Sequence, residues 1–402
     1  MIVVLTRTRS ATAGPPRRVN FSELSFHFIL QNHPSALPRS GQRACSRMLP
    51  ELAAAVIIYL THLFIAGLLV GMSKNKIRGN GQFPETLHDA IRYFADEDRA
   101  HKFMVGIRWP DGVVRCPRCH HKDVSFISTR KVWKCKQDKK QFSIKVGTVM
   151  EDSPISLDKW LCAFWLIANA KNGISSYELA RSLGLTQKTA WFLLHRIRLA
   201  MQDGSFVTFK GRVEADETYI GAKARYMHKE KRTGVGHAGL KKTPIQGLLE
   251  RTTEEKPSRV RLKVLKTNRK TEIQETVRQI VEKGSAVYTD SLRSYDGLCD
   301  AYVHEVIDHL ESYAQGHVHT NGLENFWSLL KRMLHGTYVN VEPFHLFRYC
   351  DEQAFRFNER KDNDAGRFIK AVSGYIGKGL RYAKLIGQDG DGLPPTKTWQ
   401  TA

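Results

Sequence analysis

Hydrophobic and polar residues alternate along this chain with more than one period, and the changes of period divide it. Residues 84–104 (PETLHDAIRYFADEDRAHKFM) carry apolar side chains at helical spacing, which predicts a short helix and a turn. Over 113–147 the pattern becomes strand-like alternation. Leu157 to about Ala170 (LDKWLCAFWLIANA) is strongly apolar and reads as a helix opened by Ser156. Residues 175–201 read as two helical stretches with a turn between them. From Arg212 the texture is strand, long basic excursion, strands, helix and strand, and helices return from about Asn321 to Arg360. Residues 361–402 lose periodicity, with Gly and Asp clustered at 388–392 (QDGDG) and a Pro pair after, so the end of the chain reads as a tail. No internal repeat is visible. The expected divisions are an extension over 1–71, a module with a short leading helix over 84–150, a helical domain over 153–203, a third domain over 211–365 and a C-terminal tail over 366–402. A length of 402 residues suits two or three domains.

The extension differs in vocabulary from the rest. Residues 1–71 contain seven Arg but no Lys and no Asp, and Lys74 is the first lysine of the chain. Within them Leu52 to Gly71 (LAAAVIIYLTHLFIAGLLVG) has the length and hydropathy of a transmembrane helix. Arg43 and Arg47 on one flank and Lys74 and Lys76 on the other set no orientation. The expectation is that the folded protein begins at Met72 and that 1–71 is not native to it. A membrane anchor is the rival, and a cleaved signal is disfavoured because the apolar run is too long and too far from the N-terminus.

Charge narrows the partners. Lys plus Arg outnumber Asp plus Glu by 62 to 40, for a formal charge of +22. An excess of this size favours a polyanion, either nucleic acid or an acidic membrane surface, although a soluble basic protein with no such partner has the same charge. Seven cysteines are too unevenly placed for a disulfide scaffold, and three of them, Cys116, Cys119 and Cys135, fall within twenty residues. Such clustering points to metal and a reducing compartment. Cys116-Pro-Arg-Cys119 can present two thiolates on one tight turn to a tetrahedral Zn²⁺. The second knuckle reads Cys135-Lys-Gln-Asp138, with Asp138 where a fourth sulfur belongs. A carboxylate can ligate zinc, and His120 and His121 are alternatives for that position. Zinc would supply stability that so short a module cannot draw from its core. Lys131, Lys134, Lys136, Lys139 and Lys140 would give it a surface suited to phosphates.

Ile174 to Met201 (ISSYELARSLGLTQKTAWFLLHRIRLAM) has the plan of a helix-turn-helix. Leu179, Ala180 and Leu183 face inward from the first helix, Gly184 permits the turn, and Thr186 can cap the second. Ala190, Leu193, Leu194 and Ile197 fall on one buried face of that second helix. This leaves Gln187, Lys188, Thr189, His195, Arg196 and Arg198 outside, where they could meet DNA in a major groove. An ordinary helical pair serving as a spacer has the same pattern.

Three further segments carry acids. In Gly211-Arg-Val-Glu-Ala-Asp216-Glu, alternation puts Val213 and Ala215 on one face of a strand and Glu214 and Asp216 on the other. Ser285-Ala-Val-Tyr-Thr-Asp290 is an apolar strand ending in an acid. His319-Thr-Asn-Gly-Leu-Glu324-Asn-Phe-Trp-Ser-Leu-Leu-Lys331-Arg332 reads as a helix capped near Thr320 or Asn321, with Leu323, Phe326, Trp327 and Leu330 buried. Glu324, Ser328 and Lys331 share its other face. Two strand-borne aspartates and a helix-borne glutamate suit two Mg²⁺ or Mn²⁺ ions about 3.5–4 Å apart, the arrangement used for in-line phosphoryl displacement. Lys331 and Arg332 would hold a backbone phosphate in register. Taken singly, each acid is more readily a solvated charge; the triplet is what carries weight.

The segments VEADETYIGAK, VYTDSLRSYDGL, VHTNGLENFWSLLKRMLHGTY and FRYCDEQAFRFNER resemble the ISXO-like DDE transposases of bacterial insertion sequences, over roughly residues 84–365. The order of a CPRC ribbon followed by a helix-turn-helix is similar too. The resemblance implies an α/β catalytic domain with an RNase H-like mixed sheet and flanking helices, behind a small zinc ribbon and a helix-turn-helix. It implies cut-and-join chemistry at element ends, with Asp216, Asp290 and Glu324 matching the family acids, Asn321 a rival for the third, and Lys331 matching the downstream basic residue. Asp138 departs from the family's ribbon cysteine. The partners implied are double-stranded DNA, both inverted element ends and target, and a second copy of the chain; no small-molecule substrate is expected, and a membrane is disfavoured. The compartment implied is the bacterial cytoplasm, at the nucleoid. A DNA-binding regulator that has kept the acids as structure is the alternative.

Overall fold

A computed structural model describes residues 83–388 apart from 203, 205–206, 222–241, 255, 291 and 308–318. The extension with its apolar run at 52–71, the core of the basic excursion and the last fourteen residues lie outside the described residues. Among the described residues no helix is long and apolar enough to cross a membrane.

Two short helices open the fold, α1 (Leu87–Phe94) and α2 (Glu97–Arg108). Each is started by an oxygen that accepts early backbone N–H groups: Thr86 from Asp89, and Asp96 from Asp98 and Arg99. A three-stranded antiparallel sheet follows, β1 (Val124–Ile127), β2 (Val132–Cys135) and β3 (Gln141–Phe142). Register places Trp133 between Phe126 and Phe142. Its ring stacks on Phe142 at 5.7 Å and on His101 of α2 at 5.3 Å, so an aromatic pile gives this small sheet its apolar side.

The apolar stretch is α3 (Leu157–Asn169), with Trp160, Leu161, Phe164, Trp165 and Ile167 all buried. Then come α4 (Ser176–Leu183) and α5 (Gln187–Met201). Gly184 ends α4 in the left-handed conformation, φ +60°, which a side chain would disfavour. The Thr186 hydroxyl accepts the Thr189 N–H and starts α5. Leu179, Ala180, Ala190, Leu193, Leu194 and Ile197 are buried as their spacing predicts.

The C-terminal part is built on a five-stranded mixed sheet: β4 (Arg212–Ile220), β5 (Thr243–Glu250), β6 (Arg259–Val264), β7 (Ala286–Asp290) and β8 (Val303–Ile307). Their order is β6-β5-β4-β7-β8, the first three antiparallel and the last two joining in parallel. The helix α6 (Lys270–Ile280) covers one face, where Val213, Ala215 and Leu248 meet Ile273 and Val277. The other face is covered by α7 (Asn321–Met333) and α8 (Leu346–Asn358), where Ile245, Leu249 and Val260 meet Leu323, Phe326 and Leu330. The domain is thus a mixed α/β sheet with flanking helices, RNase H-like, behind a ribbon and a helical unit.

The expected tail requires correction. Over 364–373 the chain forms α9 (Asp364–Ser373), capped by Asn363, and a short α10 (Tyr382–Leu385) follows. Phe368, Ala371, Val372 and Tyr375 are buried in the N-terminal core, with the Phe368 ring 5.0 Å from Trp165 and 5.7 Å from Phe103. These side chains pair with residues some two hundred positions earlier, so their burial completes a core begun elsewhere.

Candidate active site and metal centre

Two turns of the ribbon have the same construction. In the first, Cys116 N–H donates to the His121 carbonyl and His120 takes a positive φ; in the second, Cys135 N–H donates to the Lys140 carbonyl and Lys139 takes a positive φ. Asp138 therefore occupies in its turn the place that Cys119 occupies in the other. The ligating atoms of Cys116, Cys119, Cys135 and Asp138 all lie within 4.8 Å of one another. Cys116 Sγ is 3.3 Å from Asp138 Oδ2, and Cys119 Sγ is 3.5 Å from Cys135 Sγ. The edges of a zinc-thiolate tetrahedron are about 3.7 Å, so the donor set fits that ion. The alternatives stay outside the cluster: His120 and His121 are exposed, and His121 Nδ1 accepts the Asp123 N–H.

Behind the ribbon, the expected DNA-facing residues divide into two groups. Lys188 is exposed, its Nζ 4.7 Å from the Tyr382 ring, and Gln187 and Thr189 are half-buried at the start of α5. His195, Arg196 and Arg198, by contrast, are buried, which corrects their expected exposure. Arg196 Nε donates to the Leu380 carbonyl, and Arg198 Nε donates to Glu352 Oε2 at 2.6 Å. His195 lies against Trp191, His345 and Tyr349, and burial holds it well below its usual pKa, so it is neutral. The reason is a second packing layer: α8 and the segment around Leu380 cover the side of α5 that faces away from α4.

The three acids come from adjoining elements. Asp216 lies on the central strand β4, Asp290 ends the neighbouring β7, and Glu324 stands in the first turn of α7. Burial pushes the Asp216 carboxyl up to about 6, with the negative fields of Asp290 and Glu324 adding to it; Trp327 and the Glu217 N–H oppose the shift. Asp290 Oδ1 accepts the Leu292 N–H at 3.1 Å. Among the described residues, the three acids do not bring one oxygen each within 4.8 Å of one another, as the four ribbon ligands bring their ligating atoms. Like charges oppose such convergence. Two ions do not require it, since each needs only some of the carboxylates. Glu324, Ser328, Lys331 and Arg332 are exposed on α7, and the Ser328 hydroxyl donates to the Glu324 carbonyl.

Several residues at this site gave no chemical signal in the sequence. Trp327 was expected only as core, yet its Nε1 donates to Asp216 Oδ2 at 2.8 Å. Its ring needs Gly247, the cross-strand partner of Asp216: a Cβ there would sit 2.7 Å from the indole. On the opposite face of β4, Glu217 accepts from the Tyr295 hydroxyl. Burial pushes the Glu217 carboxyl up to about 8, against the Tyr295 bond and with Asp216 and Asp290 adding, so it holds its proton at neutral pH. Glu214, two residues before Asp216, is 1% exposed and bonded to the start of α7. The glycine in NGLE and the two glutamates that flank Asp216 in EADE were the traces of the contacts made by Glu214 and Glu217.

Two family models match. Residues 95–141 match a transposase zinc-ribbon domain, and residues 208–358 match an ISXO2-like transposase domain. Among curated relatives, a protein of the transposable element ISH50 of Halobacterium salinarum is 30% identical over 265 residues, which is 61% of this chain and 85% of the relative. A transposase-like protein of Haemophilus influenzae is 37% identical over 83 residues, 20% of this chain and 67% of the relative. The chain belongs to the ISXO2-like transposase family.

Proposed function

We propose that this transposase binds the inverted ends of an insertion sequence, cuts the DNA there and joins the freed end to a target. The observation that supports the reading is that Asp216 in the middle of β4, Asp290 at the end of the neighbouring β7 and Glu324 in the first turn of α7 stand on adjoining elements, with the charges of Asp290 and Glu324 adding to the burial that raises Asp216. An oxygen-only donor set with excess negative charge fits hard divalent cations, and Asp216, Asp290 and Glu324 are the residues that would hold Mg²⁺ or Mn²⁺. When bound, such ions supply Lewis acidity at the attacked phosphorus and at the attacking and leaving oxygens. Hydrolysis of one phosphodiester leaves a 3′-hydroxyl on the element. That hydroxyl then displaces a bridging oxygen in target DNA, conserving the number of phosphodiester bonds. Lys331 and Arg332, exposed beside Glu324 on α7, hold a backbone phosphate while this happens.

The ribbon region 84–150 and the helix-turn-helix 153–203 are assigned to the element ends, and 211–365 to catalysis. Gln187, Lys188 and Thr189 at the start of α5 are the groove-facing residues. Arg196 is withdrawn from that set because its guanidinium is committed to the Leu380 carbonyl. Bringing two ends together requires at least two copies of the chain. Its site of action is the DNA of the cytoplasm. The test is strand cleavage of a duplex carrying an element end, with Mg²⁺, with Ca²⁺ and without metal. The parent is expected to nick with Mg²⁺ only, and Asp290→Asn to lose at least about a hundredfold in rate, of the order expected when electrostatic stabilisation of the transition state is removed. An Asp290→Asn chain cutting as fast as the parent contradicts the assignment. A parent that binds ends but never nicks is a DNA-binding regulator.

A further inference from the structure

Glu214 carries a buried negative charge that the cutting reaction does not use. It shares the α7-facing side of β4 with Asp216, about 6.6 Å away along the strand at ordinary strand rise. Its two oxygens have separate partners. Oε2 accepts the Leu323 N–H at 2.9 Å, and Oε1 accepts Arg251 Nε at 2.7 Å. Arg251, just after β5, reaches the segment before α7: its Nη2 donates to the His319 carbonyl at 2.5 Å and meets His319 Nδ1 at 2.9 Å. The same guanidinium lies 4.4 Å from the Tyr288 ring on β7.

Two local features complete the arrangement. Thr320, at the N-cap position of α7, makes no side-chain capping bond, so a carboxylate from a neighbouring strand takes that role. Gly322 permits the approach, because a Cβ there would stand 2.7 Å from Glu214 Oε2. The next residue after the bonded Leu323 is Glu324. One turn further on, Trp327 bonds Asp216. The helix is thus tied to β4 at two points, and Glu324 lies between them.

We propose that Glu214, braced by Arg251 and His319, is a positioning residue that seats the first turn of α7 so that Glu324 faces Asp216. This inference rests on the reading of Asp216, Asp290 and Glu324 as the acids that hold divalent ions. Its charge is neutralised by Arg251, so it aligns the acids without adding to their repulsion.

The test uses the full-length, zinc-loaded chain and two readouts besides activity. One is Mn²⁺ binding followed by electron paramagnetic resonance, with Asp216→Asn defining binding at the three acids. The other is backbone amide exchange over Leu323 and Glu324. Glu214→Asp keeps the charge opposite Arg251 but withdraws the acceptor by one methylene, and Glu214→Gln keeps the length but leaves one of two donors without a charged acceptor. Both are expected to weaken Mn²⁺ about 10–100-fold, the loss typical of a partner that orients a metal ligand, and to speed exchange at Leu323. The result that overturns the proposal is a folded Glu214→Asp chain with parental Mn²⁺ affinity, even if its melting temperature falls. If the parent binds Mn²⁺ no better than Asp216→Asn, the metal reading itself fails and takes the proposal with it. That failure is told apart by its appearance in the parent, before any change at Glu214.

Discussion

The bond from Trp327 Nε1 to Asp216 Oδ2 joins a side chain that packs α7 to an acid proposed to hold a divalent ion. Asp216 is raised to about 6 in the folded chain from an ordinary 3.8, so folding becomes less favourable as pH climbs between those values. The indole N–H favours the ionised form and limits that loss. Trp327→Phe keeps a ring above Gly247 but removes the donor, and Asp216 then ionises at still higher pH. Without added Mg²⁺, the variant is expected to lose about 1–3 kcal/mol relative to the parent at pH 8, and the difference to shrink as pH falls through about 6. Urea denaturation at pH 5 and pH 8 measures it, and an equal loss at both values contradicts the account. The three acids could be singled out as candidates because a carboxylate's residue type names a chemistry. Trp327, Glu214 and Gly247 were not, because each acquires meaning from a partner on another element: Gly247 is an ordinary strand glycine until Trp327 is placed over it.

At the scale of elements, the ribbon shows how far spacing alone can be trusted. The pair Cys116 and Cys119 and the isolated Cys135 predicted two knuckles, and the positive φ at both His120 and Lys139 follows from making the same turn twice. What spacing left open was the fourth position, and the second turn brings Asp138 within 4.8 Å of the three sulfurs. A thiolate binds zinc more softly and strongly than a carboxylate in this setting. Asp138→Cys is expected to tighten zinc by at least about tenfold against a chromophoric chelator, whereas Asp138→Ala weakens it. Stripping zinc should release the near-ultraviolet dichroism of the Trp133 stack. Asp138→Ala with parental zinc affinity contradicts the role given to Asp138. The helix-turn-helix shows the opposite case. A 3.6-residue period identifies one buried face of α5, and it did so for Ala190, Leu193, Leu194 and Ile197. It cannot reveal that a second element buries the other side, so His195, Arg196 and Arg198 read as solvent-facing.

Across the described residues, a buried ion cluster connects α5 to the helices that cover the five-stranded sheet. Glu352 of α8 accepts Arg198 Nε of α5 at 2.6 Å, Arg356 Nη1 at 2.5 Å and the Tyr338 hydroxyl at 2.7 Å. Arg356 Nη2 also reaches Met333 Sδ, at the end of the helix that carries Glu324. Burial pushes Glu352 up, but Arg356 and Arg198 outweigh it and hold the carboxyl below its usual value. Glu352→Gln strands two buried cations and is expected to cost about 3–5 kcal/mol, read by urea denaturation; a loss under about 1 kcal/mol would mean that the cations find other partners. Such long-range partners are what the sequence conceals, and α9 is the plainest instance. In α9 Phe368, Ala371 and Val372 fall at i, i+3 and i+4, a run too short to stand out, and they complete a core begun by Phe94, Phe103 and Trp165. The α/β texture was visible because strands and helices declare their periods locally, while the return of the chain end to the first core does not.

The claim on which these scales converge is that Asp216, Asp290 and Glu324 share divalent ions. Its most direct test is an anomalous difference map at the manganese edge, from crystals of the chain bound to element-end DNA and soaked in Mn²⁺. The prediction is two peaks about 3.5–4 Å apart among those three carboxylates, both absent in Asp216→Asn. Manganese elsewhere on the surface, with none among the three acids, would contradict it.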